Sequence, residues 1–139
     1  MHVIRGSLIE RDRTLELALS PHPSSVARAR MFVSEALARW AVPEETEQMA
    51  RLAISELVTN AIVHARTDVV VRVRPEADAV WVGVTAQDDT LPVRQADPEP
   101  DRDGNRGLAI VEAVARRWGV DQQFSRPGKT VWFTVALDP

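Results

Sequence analysis

Residues 54–65 read ISELVTNAIVHA, and this stretch constrains the fold more than any other. Its spacing suits a helix, yet Ile54, Leu57, Val58, Ala61, Ile62 and Val63 put apolar side chains on nearly every side of it. A helix that is apolar all round is buried among other elements. Glu56 and Asn60 interrupt the run one helical turn apart, which sets them on one face. A carboxylate carried into an apolar layer without a partner costs several kcal/mol. Either that face lies at a solvent edge, with Asn60 bonded to neighbouring backbone, or something is brought to it.

The rest of the chain limits what that something can be. With 139 residues, 45% hydrophobic and 27% charged, the chain suits one domain with a real core. No apolar run approaches the roughly 20 residues that span a bilayer. The start lacks the basic segment and apolar stretch of a secretion signal. There is no cysteine, hence no disulfide framework and no thiolate metal site. These features predict a cytoplasmic protein. A formal net charge of -3 and the lack of a basic patch argue against a general nucleic-acid binder. Lys129 is the only lysine among the 17 basic residues, an arginine bias that a GC-rich genome explains.

Along the chain, TLELAL (14–19) alternates like a strand. SPHPSS breaks it, and Ser24 or Ser25 can cap a helix over about 25–40. Pro43 opens a second helix, with Glu44, Glu45 and Glu47 at its positive end, running to about Ala65. DVVVRVRP and AVWVGVTA form two strands around a turn near Pro75–Asp78. Residues 87–105, rich in Asp and Pro, have almost no apolar period and read as a functional lid or a disordered segment. Helical spacing returns over 106–119, with Leu108, Val111, Ala115 and Trp118 inward. VDQQFS and TVWFTVAL close the chain as strands around the turn RPGK. This order predicts a two-layer α/β (α+β) sandwich, a mixed, mostly antiparallel sheet with helices on one face.

Three places can carry chemistry. An amide oxygen at Asn60 suits a hard cation such as Mg²⁺, which takes oxygen ligands and keeps waters and phosphates in its other positions. Glu56, one turn earlier, can accept a proton from a nucleophile, and His64 continues the face, although a helix-end histidine also suits the dipole there. Gly104 and Gly107 flank the start of the 106–119 helix, where free amides favour an anion, and Arg106 adds charge. A G-x-x-G pair is a weak signal by itself; its place after a polar lid strengthens it. Thr130 opens the last strand, where a β-branched residue is also ordinary.

Taken in this order, ELVTNAIVHA resembles the N box of the GHKL (Bergerat-fold) ATPase superfamily. GNRGLAIVEAVARRWGV followed by GKTVWF is similar to the second glycine region and closing strands of one branch, the bacterial anti-sigma-factor serine kinases. The resemblance covers about residues 14–137. It implies that Asn60 holds Mg²⁺ on the phosphates of ATP and that Glu56 is the general base toward an acceptor hydroxyl. It also implies a nucleotide-binding set of Asn60, His64, Asp88, Gly104, Arg106, Gly107, Leu108 and Thr130, with Thr130 in a polar network near adenine. The implied partners are a sigma factor and an anti-anti-sigma antagonist, and the family suggests a homodimer. One departure stands out. The family ends the strand before the lid with an Asp for the adenine amino group, within a pattern close to D-x-x-x-x-L-P. Counting back from Leu91–Pro92 puts Ala86 there, with Asp88 and Asp89 two and three residues later.

The leading reading is therefore an ATP-binding anti-sigma factor with serine/threonine kinase activity. The alternative is a regulatory binding module of the same fold, with weakened or lost ATP binding. A detached histidine-kinase catalytic domain fits less well, because no helical hairpin with a phosphoacceptor His precedes the domain.

Overall fold

A computed structural model of the chain describes residues 14–87, 103–122 and 128–137; at 64, 65, 103–108 and 122 it describes the backbone alone. The elements are β1 (Leu15–Leu19), α1 (Ser24–Arg39), α2 (Glu44–Asn60) continued by a π-turn (Ala61–Ala65), β2 (Val69–Pro75), β3 (Ala79–Ala86), α3 (Asp103–Val114), β4 (Arg117–Gln122) and β5 (Lys129–Ala136). The strands form one sheet in the order β1-β2-β3-β5-β4.

Every pairing in this sheet is antiparallel, so it is not mixed. The connectivity explains why. β3 and β4 run in the same direction and are joined through α3, as in a crossover unit, but β5 inserts between them and pairs antiparallel with both.

Period-two alternation sorts the sheet into two faces. Val69, Val71 and Val73 of β2 stand beside Val82, Val84 and Ala86 of β3, then Phe133, Val131 and Lys129 of β5. The helical layer covers this face: α1 buries Ala29, Val33, Ala36 and Leu37, and α2 buries Ala50, Ala53, Ile54, Leu57 and Val58. The all-round apolar character of the α2 run is thus met by the sheet beneath it, by α1 on one flank and by α3, with its buried Val111, on the other.

The opposite face has no helix in the described chain and is covered by its own side chains. Trp81 and Trp132 stack with ring centres 6.4 Å apart, and the Arg74 guanidinium sits 4.1 Å from the Trp81 ring centre. The rings lie over glycines: a Cβ on Gly83 would fall 2.3 Å from the Trp81 ring, and one on Gly119 would fall 2.8 Å from that of Trp132.

Three local expectations are corrected. Neither serine caps α1; Pro23 takes that position, the Ser24 amide donates to His22 Nδ1 (3.1 Å), and the Ser25 hydroxyl donates to the Ser20 carbonyl (2.8 Å). The last helix spans 103–114, not 106–119. It begins at Asp103, and residues 117–122 are taken by strand pairing with β5. Trp118, expected on a helix, therefore stands opposite Phe133 and packs against the core. The helix of 43–65 has the expected length, but its final turn is wide: the Arg66 amide donates to the carbonyl of Ala61, five residues back (3.2 Å), and Arg66 turns left-handed at φ 59°. Residues 88–102, most of the expected lid, lie outside the described residues.

Candidate functional site

One end of the sheet collects the ends of several elements. The π-turn that finishes α2 leads through Arg66–Asp68 into Val69, the first residue of β2. Val69 pairs with Ala86, the last residue of β3, and Ala86 pairs with Lys129, the first of β5. A hydrogen bond from the Gln87 amide to Thr67 Oγ1 (3.2 Å) ties the exit of β3 to the link after α2. Antiparallel order alone forces this convergence.

Glu56 and Asn60 occupy the last turns of α2, each half-buried, and Asn60 is the last regular α-helical residue before the π-turn. Single π-turns inside helices occur frequently at functional sites. Oδ1 of Asn60 is withdrawn from solvent, and both residues already take part in interactions within the chain. Neighbours on α2 show how local the polarity is: Ala53, Ile54, Leu57 and Val58 are buried.

The donor set bears on which metal could sit here. Among the described residues no three His, Cys, Asp or Glu side chains gather into a cluster, so these residues do not build an all-protein cage. An amide oxygen at Asn60 with a carboxylate one turn away is instead a sparse set of hard oxygens. That suits Mg²⁺, which completes its octahedron with waters and phosphate oxygens.

The other expected residues fare unequally. His64 lies in the π-turn, with only its backbone described. Asp88 lies outside the described residues. Gly104, Arg106, Gly107 and Leu108 all fall inside α3, so the glycines do not flank its start. With the helix beginning at Asp103, the amide of Gly104 belongs to the first turn, whose N–H groups have no intrahelical acceptor; the amides of Arg106 and Gly107 come after those free groups.

Thr130 is not brought to the Ala86 face. It pairs with Thr85 on the helix-free face, their hydroxyls 2.7 Å apart. Arg72 donates through Nη1 to Thr85 Oγ1 (3.2 Å) and pairs through Nη2 with Glu16 (2.9 Å), so Thr130 ends a side-chain chain across four strands. The β5 residue opposite Ala86 is Lys129, which is half-buried. The alternation of KTVWFTVA was the signal for this, since it groups Lys129 with Val131, Phe133 and Val135.

No helix among the described residues is long and apolar enough to cross a membrane. Among curated proteins, none matches the chain. The family model of the histidine kinase-like ATPase domain matches residues 19–135, from the last residue of β1 to the penultimate residue of β5, and the chain belongs to that family.

Proposed function

We propose that the protein binds a nucleoside triphosphate, ATP by family resemblance, and transfers its terminal phosphoryl group to a serine or threonine of an anti-anti-sigma partner, while sequestering a sigma factor as a homodimer. What carries the reading is the placement of Glu56 and Asn60: half-buried beside the buried Ala53, Ile54, Leu57 and Val58 of α2, whose end leads into the link that meets β3. Asn60 Oδ1 would hold Mg²⁺, whose charge offsets that of the triphosphate. The Glu56 carboxylate accepts the acceptor hydroxyl's proton as its oxygen bonds to the γ-phosphorus. The bond from that phosphorus to the β,γ-bridging oxygen breaks and the nucleoside diphosphate leaves. Positioning and charge compensation supply most of such a rate enhancement.

Calorimetry with ATP, with and without Mg²⁺, tests the reading on the parent and on Asn60→Ala. The expected result is Mg²⁺-dependent binding in the parent, weakened in the variant without loss of fold, since alanine raises helix propensity. A parent that binds no nucleotide, with a variant that unfolds, would make Asn60 a structural residue.

A second reading, a regulatory module of the same fold that turns over no nucleotide, is favoured by one observation. Ala86 is buried and offers a methyl group where the family places an Asp for the base.

A further inference from the structure

The only lysine of the chain stands beside the residue whose identity departs from the family. Ala86 and Lys129 are direct cross-strand partners, and Thr85 and Thr130, the next pair, bond to each other on the opposite face. Alternation therefore sends the Lys129 side chain to the same face as the Ala86 methyl. The backbone holds this register tightly. Gly128, at φ +136°, enters β5 so close to Ala86 that a Cβ there would lie 3.1 Å from the Ala86 carbonyl oxygen.

From this juxtaposition we infer that Lys129 reads the base of the bound nucleotide and selects a 6-oxopurine, guanine or hypoxanthine, over adenine. The inference rests on the nucleotide-binding reading above and on Ala86 marking the base end of that site. A carboxylate accepts hydrogen bonds, whereas a lysine ammonium carries three donors and no acceptor. Adenine shows an amino donor beside N7, so a cation there meets one acceptor and one donor. Guanine shows O6 and N7 side by side as two acceptors, the edge that lysine and arginine most often recognise. Ala86 supplies nothing to oppose this choice, and its small side chain leaves room for the lysine's four-carbon stem. Lys129 also takes part in an interaction within the chain, so the base competes with that contact.

Calorimetric titration of the full chain with GTP, ITP and ATP, each with Mg²⁺, tests this, with tripolyphosphate as a base-free control. ITP has the 6-oxo group without guanine's 2-amino group and so isolates the proposed contact. GTP and ITP are expected to bind about tenfold more tightly than ATP. Lys129→Met should remove that preference, Lys129→Arg should keep it, and tripolyphosphate should bind parent and both variants alike. ATP binding as tightly as GTP to the parent would overturn the role of Lys129 and leave nucleotide binding intact. An unchanged GTP-to-ATP ratio in a folded Lys129→Met would do the same. Failure of all three nucleotides to bind the parent would remove both this inference and the reading beneath it.

Discussion

The two ends of the sheet are built on opposite principles. At the β2–β3 turn, acids and bases compensate one another. Glu76 lies 3.9 Å from Arg74 and 3.7 Å from Arg117, and Asp78 lies 3.0 Å from Arg116. Backbone bonds close the same corner, from Glu76 to Ala79 (2.8 Å) and from Leu137 to Asp78 (3.2 Å). At the other end, Ala86 places a methyl opposite the Lys129 cation, and α2, with Glu56 and Asn60 in its last turns, continues through the π-turn to Val69 beside Ala86. The first end is charge-balanced by short-range pairs and gives a ligand little to do. The second carries polar groups on elements that meet only through folding, and this is where the function proposed above puts the nucleotide.

Substitutions can break this contrast. The largest effect is expected at Glu56. Glu56→Gln keeps the shape and removes the proton acceptor, so transfer of labelled phosphate to an antagonist protein should fall by about 10²–10⁴. Nucleotide affinity in a parallel titration should change little; equal transfer by parent and variant would exclude Glu56 as the base.

The next effect sharpens the base end. Ala86→Asp alone should gain little ATP affinity, because the new carboxylate pairs with Lys129 directly opposite it. Ala86→Asp with Lys129→Thr removes that competitor, and ATP should then bind about ten- to a hundredfold more tightly than to Ala86→Asp. If the single substitution performs as well as the double, Lys129 does not reach the base.

Smaller effects are expected away from the site. Gly83→Ala forces the Trp81 ring off the strand and should destabilise the fold by about 1–3 kcal/mol, read from chemical denaturation. A neutral result would show that the ring moves aside freely. At the compensated end, Asp78→Asn removes the pair with a half-exposed Arg116, and screening by solvent limits the loss to about 0.2–1 kcal/mol. A loss of several kcal/mol would mean that this corner bears more of the fold than its exposure implies.

The helix-free face shows how pattern and packing share control. Its alternation was legible, since Arg72, Trp81 and Gly83 fall between valines. That Trp81 and Trp132 use Gly83 and Gly119 as beds was not, because residues 81 and 132 become neighbours only once β3 and β5 pair.

Local periodicity determined a great deal by itself. The β2–β3 hairpin, the three-helix count, the helix from Pro43 to Ala65 and the Glu56–Asn60 pair all follow from side chains a few residues apart, whose relation any helix or strand fixes. Tertiary structure decided what depends on distant partners. β5 drew residues 117–122 out of helical spacing into β4, because strand pairing and the space at Gly119 for the Trp132 ring outweigh a weak local preference. β5 also separated β3 from β4 and made the sheet wholly antiparallel. A one-residue difference in register on a pleated strand exchanges faces. For that reason the sequence could name Thr130 without its face, and the pairing of Ala86 with Lys129 decided that Thr130 stands beside Thr85 on the helix-free face while the lysine shares the face of Ala86.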